Sequence, residues 1–133
     1  MTIQFFIPMK KIPTVTQQQH RIGVNKEGKG YIYDSQKIKI VKNYFEACLL
    51  PYIPKEKITS GVRLCVKWLF PKGKNHVDGE YKLTKPDTDN LLKMLKDCMT
   101  RVGFWHDDAL VCSEINEKFY AETPGIYIYV ETI

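Results

Sequence analysis

The hydrophobic pattern changes its period between residues 61 and 103, and this change constrains the possible fold more than any other feature of the chain. Residues 61–70 alternate along the chain, which predicts a strand whose one face carries Val62, Leu64, Val66 and Trp68. After Asp87 the apolar residues recur at helical spacing, and Gly103 is well suited to end a helix. The predicted buried stripe of this helix is Leu91, Leu92, Leu95, Cys98, Met99 and Val102. A strand followed by an amphipathic helix indicates helices packed on a sheet.

The first half of the chain adds a strand and a helix. Residues 3–7 predict a strand, and residues 9–30 predict a loop or a loose hairpin, because glycine, proline and charged residues dominate there. A helix is predicted from a cap at Asp34 or Ser35 to about residue 50. Its buried side is predicted to contain Ile38, Val41, Tyr44, Phe45 and Cys48.

The end of the chain predicts two strands, at residues 109–120 and 126–131, paired as a hairpin across the turn at residues 123–125. The complete order is then β-α-β-α-β-β. Helices separated by single strands predict an α/β (α+β) fold with a mixed β-sheet and packed helices, not a fully parallel sheet. We expect residues 1–133 to form a single domain, since this length can bury one core without staples.

The composition is that of an ordinary soluble globular protein, with 44% hydrophobic and 26% charged residues. No apolar run approaches the roughly 20 residues that a membrane helix needs, and the first residues do not resemble a signal peptide. The four cysteines include no Cys-x-x-Cys pair, which excludes zinc-finger spacing. We therefore expect buried free thiols and a cytoplasmic protein.

Positive charge is concentrated in the first half of the chain. Residues 1–60 carry ten lysines and arginines against four acids, a balance of +6, whereas residues 61–133 have a balance of −1. Such an asymmetry suggests a polyanionic partner, most often a nucleic acid. A mildly basic solvated surface is the alternative interpretation.

Two aspartates, Asp87 and Asp89, stand at the predicted start of the second helix. One interpretation is structural, because an acid here can cap free N–H groups and complement the helix dipole. A second aspartate is harder to explain in this way, since only one residue can be the N-cap and like charges repel. A divalent cation such as Mg²⁺ would neutralise both, because hard cations prefer oxygen ligands and keep open positions for phosphate.

A second acidic pair, Asp107 and Asp108, follows the helix. A helix of about 15 residues rises roughly 22 Å, so the chain after Gly103 must turn back before Asp107 can approach Asp87. Residues 104–106 are the expected returning segment. If they run beside the helix, acids from both of its ends share one site. The alternative is a polar turn before a strand.

Lys93 lies one helical turn beyond Asp89 and off the leucine stripe. It can form a surface i,i+4 ion pair. It can also face the carboxylates and contact a scissile phosphate, where positive charge stabilises the transition state of phosphodiester hydrolysis. The position of Lys93 in the sequence leaves both interpretations open.

Four pieces of the sequence together resemble one protein family. They are KPDTDNLLK at residues 85–93, Asp97, GFWHDD at residues 103–108, and Val111. This pattern closely resembles the RusA family of Holliday junction resolvases, over about residues 85–111. The order of elements and the basic N-terminal region agree more loosely with that family.

The resemblance implies a small, homodimeric, Mg²⁺-dependent endonuclease that nicks a four-way DNA junction symmetrically and leaves 5′-phosphate ends. Mn²⁺ is expected to substitute for Mg²⁺. The resemblance further implies that Asp87, Asp89 and Asp108 are catalytic and bind the metal, that Lys93 is the essential lysine, and that Asp107 assists in metal binding. A role in DNA recombination and repair follows, and such proteins are common in phages and prophages.

DNA is expected to be held mainly through its phosphates, so that binding weakens steeply with salt. The expected contacts are Lys10, Lys11, Arg21, Lys26, Lys29, Lys72, Lys74 and Lys85. Two other functions compete with junction resolution. One is a junction- or DNA-binding protein whose acids are structural, and the other is a metal-dependent nuclease acting on other branched or single-stranded DNA.

Two further groups have a functional and a structural interpretation. Phe104 and Trp105 can stack or wedge at a DNA crossover, although packing in the core or in a dimer is favoured. His76, Asp78 and Glu80 alternate along the chain and could form a second metal site, although a flexible glycine-containing loop is favoured. The remaining histidines are expected to be ordinary surface or packing residues.

Overall fold

The secondary structure follows the predicted order, with one hairpin added after the first strand. The computed structural model describes residues 1–14, 20–24, 26, 28, 30–34 and 36–133, and of these it leaves out the side chains of residues 20–22, 24 and 30–34. The strands are β1 (Thr2–Pro8), β2 (His20–Val24), β3 (Gly30–Asp34), β4 (Val62–Pro71), β5 (Val111–Ala121) and β6 (Gly125–Thr132). The helices are α1 (Gln36–Leu49) and α2 (Thr88–Val102), with short 3-10 turns at Leu50–Tyr52 and Asp108–Leu110. β2 and β3 pair as an antiparallel hairpin, which is one of the two predictions for residues 9–30.

Four strands form one mixed sheet in the order β1-β6-β4-β5. β4 and β5 run parallel and are joined by a crossover that contains α2, whereas β6 is antiparallel to both β1 and β4. The predicted mixed sheet is therefore confirmed. The predicted pairing of the last two strands as a hairpin is wrong, because β4 lies between them. The crossover places β5 at one edge of β4, so the following strand pairs with the other edge.

The core lies between one face of this sheet and the two helices. The predicted inward residues of β4 are Val62, Leu64, Val66 and Trp68, and all are fully buried. On α2 the predicted stripe is buried from Leu91 to Met99, and Val102 packs half-buried against it. Gly103 ends the helix with a left-handed backbone (φ 105°), as its position predicts.

On α1 the prediction of the buried side is correct only in part. Ile38, Val41 and Phe45 are buried, and Leu49 extends their stripe. Tyr44 is 43% exposed, because it lies about 100° around the helix from Phe45. Cys48 is half-buried. The predicted caps at residues 34 and 35 lie outside the described side chains.

The cysteines are free, but only one of the four is buried. Cys98 is enclosed in the core, Cys48 and Cys65 are half-buried, and Cys112 is exposed. The expectation of four buried thiols is therefore wrong. Cys112 lies on β5, an edge strand of the sheet.

The segment after α2 turns back along the helix, as predicted. Phe104 and Trp105 are fully buried, so their role is core packing and the interpretation as a DNA wedge is wrong. The Trp105 indole N–H donates to Thr100 Oγ1 at 2.7 Å. The backbone of Ile58 bonds to Phe104 and to His106 on the way to β5. Within the described residues, no helix is long and apolar enough to cross a membrane.

Candidate active site

The two aspartates at the start of α2 occupy different positions in the helix. Asp87 is the N-cap residue, with an extended backbone (φ −73°, ψ 143°), and Asp89 lies in the first turn. Within the described structure the Asp87 side chain makes no capping hydrogen bond. Capping therefore does not explain this carboxylate, and both side chains are exposed to solvent.

A cavity of about 410 Å³ lies along the polar side of α2. We call it the polar cavity, and its lining residues are Asp89, Asn90, Leu92, Lys93, Lys96, Asp97, Asp108 and Glu114. Asp108 reaches it because the chain folds back after Gly103 and begins a 3-10 turn just before β5. Acids from both ends of α2 thus share one cavity, in agreement with the expected topology. Lys93 lines the same cavity, one helical turn from Asp89.

Asp107 and Asp87 are outside the residues that line the polar cavity as described. The Asp107 carboxylate accepts a hydrogen bond from the backbone N–H of Ala109 at 2.9 Å and so caps the 3-10 turn. This hydrogen bond, followed by one with the Asp108 carboxyl group, lowers the pKa of Asp107. The polar-turn interpretation therefore describes Asp107 correctly, while Asp108 belongs to the cavity.

Sequence reasoning assigned no functional role to Lys96 and Glu114, which also line the polar cavity. Lys96 Nζ and Glu114 Oε1 form an ion pair 2.9 Å long between α2 and β5. Three other residues of the cavity do carry a sequence signal. Asp89, Lys93 and Asp97 recur every four residues and so share one side of a helix. Glu114 carried no such signal, since its place depends on the pairing of β5 with β4.

The chemistry of the polar cavity fits a hard divalent cation. Three carboxylates line it besides the paired Glu114, and all the acidic donors are oxygen atoms. In the described part of the chain, however, no three His, Cys, Asp or Glu side chains are grouped closely enough to hold a metal ion alone. A cation here would need water or substrate oxygens for its remaining positions. Mg²⁺ ordinarily keeps several such positions open.

The lysines expected to contact DNA differ in their surroundings. Those that are exposed are Lys10, Lys11, Lys26, Lys74 and Lys85. Lys72 is half-buried and forms an ion pair with Glu122, 3.3 Å long. The side chain of Arg21 and all of Lys29 lie outside the described part of the chain.

His76, Asp78 and Glu80 do not form a second metal site. His76 pairs with Glu80 through Nδ1 and stacks on the ring of Tyr120. Asp78 instead accepts a hydrogen bond from the backbone N–H of Glu122 at 2.8 Å. Asp78 is thus separate from the His76–Glu80 pair, and the contacts of His76 and Asp78 attach the loop between β4 and α2 to Tyr120 and Glu122.

Comparisons with known proteins agree with the resemblance carried by the acidic segments. The sequence model of the family described as Endodeoxyribonuclease RusA matches residues 2–131. The chain is 29% identical over 119 residues to the crossover junction endodeoxyribonuclease rusA of Lactococcus phage r1t, covering 84% of this chain and 83% of that relative. It is 28% identical over 122 residues to the uncharacterized protein YqaN of Bacillus subtilis (strain 168), covering 84% and 85%. A match over nearly the whole chain, with the motif acids Asp89 and Asp108 in one cavity, shows that this protein belongs to the RusA family of endodeoxyribonucleases.

Proposed function

We propose that this protein is a Mg²⁺-dependent endonuclease that resolves four-way DNA junctions by paired, symmetric nicks. The observation that carries the proposal is the polar cavity, which combines Asp89, Lys93 and Asp108 in a chain of the RusA family. The name of the Lactococcus phage relative, a crossover junction endodeoxyribonuclease, supports the choice of substrate. A role in recombination and repair follows from that substrate.

In this proposal Asp89 and Asp108 hold the metal together with Asp87, and Asp107 lies beside them. A bound Mg²⁺ would supply a water molecule of lowered pKa and neutralise charge on the scissile phosphate. Asp89 and Asp108 orient the reacting groups, since they project from two elements that pack against each other. Mn²⁺ has similar ligand preferences and is expected to substitute.

Lys93 is proposed to stabilise the negative charge that gathers on the phosphate in the transition state. Its side chain is exposed and lines the polar cavity with Asp89, so its ammonium group can reach a backbone phosphate that enters there. Fixed positive charge at such a place lowers the barrier most when water is displaced from the site. Bound DNA would provide that exclusion of water.

Two copies of the chain suit the proposed substrate. A four-way junction offers two equivalent strands related by a two-fold axis, and a homodimer places two identical active sites with the same symmetry. Paired nicks then leave two duplexes with ends that can be ligated. We propose such a homodimer as the active form.

The proposal is tested with labelled four-way junctions and with duplexes of the same sequence, incubated with Mg²⁺ or with a chelator. We expect symmetric nicks in two opposite strands of the junction, only with the metal, and products that DNA ligase can reseal. Sealing would establish 5′-phosphate and 3′-hydroxyl ends. Junction binding without nicks would show a binding protein, and equal cutting of the duplex would show a nuclease of other specificity. Either result would reject junction resolution.

A further inference from the structure

One side of β5 carries polar residues that contact α2 or the chain leading into it. These residues are Glu114, Asn116, Lys118 and Tyr120, at every second position of the strand. In the parallel register, Asn116 lies opposite Val66 and Lys118 opposite Trp68 on β4. Their side chains therefore point to the same side of the sheet as the buried residues of β4.

Residues 79–82, in the loop between β4 and α2, form backbone hydrogen bonds with β5 over a short distance. Tyr120 N–H donates to Glu80 C=O at 2.8 Å, and Lys82 N–H donates to Lys118 C=O at 3.0 Å. Among the described hydrogen bonds, this backbone ladder with β5 ends at Lys82. The residues that follow, 84–89, contain both aspartates and are called the acidic segment below.

Beyond these backbone bonds, the side chain of Lys118 forms hydrogen bonds with the acidic segment. Its ammonium group donates to the carbonyl oxygen of Thr84 at 2.6 Å and to that of Pro86 at 2.7 Å. Both are short, charge-assisted hydrogen bonds, which are stronger than bonds between neutral groups. The Pro86 carbonyl belongs to the peptide group that leads directly into Asp87, so Lys118 restrains the backbone immediately before the first aspartate.

Asn116 restrains the acidic segment between its two aspartates. Its amide Nδ2 donates to the carbonyl oxygen of Thr88 at 2.8 Å. Its Oδ1 accepts from the indole N–H of Trp68 at 2.7 Å, and Trp68 is fully buried. The orientation of the Asn116 amide is thus determined by the core, and this amide holds Thr88.

The three restrained carbonyls belong to alternate residues of the acidic segment. Lys118 and Asn116 together hold the carbonyl oxygens of residues 84, 86 and 88 against β5. Asp87 and Asp89 each follow one of these held residues, and their side chains are exposed to solvent.

We propose that Lys118 and Asn116 are positioning residues, which hold the acidic segment in the arrangement that Asp87 and Asp89 need to bind the catalytic metal. This inference rests on the proposed function. The two residues contact only backbone carbonyls of the segment, so they act through the aspartates and not on the substrate. Losing groups that orient metal ligands typically lowers metal affinity or activity by about 10- to 100-fold.

The test compares Lys118→Met with Lys118→Arg, and adds Asn116→Ala as a second way to free the segment. Lys67→Met is the matched control, because Lys67 is a half-buried lysine of β4 that points to the other side of the sheet from Trp68. Four quantities are measured for each variant. They are kcat and KM on a four-way junction, the Mg²⁺ concentration for half-maximal cleavage, Mn²⁺ binding without DNA by electron paramagnetic resonance, and hydrogen exchange of the acidic segment.

We expect Lys118→Met and Asn116→Ala to weaken Mn²⁺ binding and to raise the Mg²⁺ requirement by about 10- to 100-fold, with faster hydrogen exchange in the acidic segment. The KM for the junction should stay near that of the wild type, because neither residue is proposed to touch DNA. Lys118→Arg should restore part of the metal affinity, since arginine also donates to carbonyl oxygens. Lys67→Met should behave as the wild type.

The inference is overturned if Lys118→Met and Asn116→Ala match Lys67→Met in Mn²⁺ binding and Mg²⁺ requirement while the wild type cleaves junctions. It is also overturned if both variants lose only junction affinity and keep their Mn²⁺ affinity. A wild-type protein that leaves junctions uncut refutes the proposed function instead. In that case Mn²⁺ binding and hydrogen exchange still test the positioning role.

Discussion

At the scale of single residues, the site is a set of carboxylates that cannot all be explained by local structure. Asp107 has an ordinary structural task as the cap of a turn. Asp89 and Asp108 line the polar cavity, and the described structure has no capping bond for Asp87. Carboxylates close together repel unless a cation or a proton neutralises them. This excess of negative charge in a basic chain is the chemical reason to expect a metal.

Asp89→Asn should reduce junction cleavage by more than about 100-fold, because a direct ligand matters at least as much as the groups that orient ligands. The amide keeps the size of the side chain but loses the charge, so junction binding should be retained. Cleavage is measured on labelled junctions, and binding by gel shift in the presence of a chelator. Asp78→Asn is the matched control, since Asp78 lies outside the polar cavity and its Oδ1 can still accept from Glu122. Cleavage by Asp89→Asn at the rate of this control would refute the assignment.

The cysteines should differ sharply in reactivity. Burial raises the pKa of Cys98 to about 12, so only about one thiol in ten thousand is ionised at pH 8, and the thiolate is the reactive form. Cys112 is exposed to solvent. In native protein we expect iodoacetamide to label Cys112 first and Cys98 last, as followed by mass spectrometry. Denaturant should remove the difference, and equal native labelling of the two would contradict the described core.

At the scale of elements, the crossover from β4 through α2 to β5 builds the polar cavity. α2 supplies Asp89 and Lys93 from its polar side, while its leucine stripe packs into the core. The return of the chain through the buried Phe104 and Trp105 brings Asp108 to the same place. The acids are thus held by two elements that the core locks together, which is how a rigid fold positions a reactive site.

The start of β6 should be sensitive to any added side chain. A Cβ atom at Gly125 would collide with the backbone oxygen of Ile7 and with the ring of Phe6. Gly125→Ala should therefore lower the free energy of unfolding by about 1–3 kcal/mol, the usual cost of overpacking. Gly73→Ala is the control for substitution in open space, with only the cost of its positive φ. Urea unfolding measures both, and an equal loss in the two variants would contradict the close approach of β1 and β6.

At the scale of the whole molecule, the excess positive charge and the acids of the polar cavity lie in different halves of the chain. The chain carries a net charge of +5, and the excess of lysine and arginine lies in its first half. The carboxylates of the polar cavity come from the second half. In the proposed function, the lysines and arginines of the first half would attract the DNA backbone, and the acids of the second half would bind a cation at the point of cleavage.

Lys10→Ala combined with Lys11→Ala should weaken junction binding and make it less dependent on salt. Removing one lysine that touches a phosphate should reduce the slope of log K against log salt concentration by about 0.9, so the double variant should show a slope smaller by roughly 1.8. Lys55→Ala with Lys57→Ala removes the same charge from two other exposed lysines and serves as the control. Fluorescence anisotropy with a labelled junction at several salt concentrations measures the slopes. An unchanged slope in the first variant would show that Lys10 and Lys11 do not contact phosphates.

Local sequence patterns were sufficient to predict the main elements and the family. The two hydrophobic periods identified β4 and α2, because a strand and a helix repeat their buried face at different intervals. The spacing of Asp89 and Lys93 placed them one helical turn apart, and the motif acids identified the family. These are local properties, which depend on residues only a few positions apart.

The meeting of distant parts of the chain became visible only in the folded molecule. There β4 lies between β5 and β6, where turn residues had suggested a hairpin. Folding also brings Glu114 to Lys96 and joins Asn116 and Lys118 to the acidic segment. No local pattern encodes these contacts, because they depend on the register of β5 against β4 and on the packing of α2 over both strands.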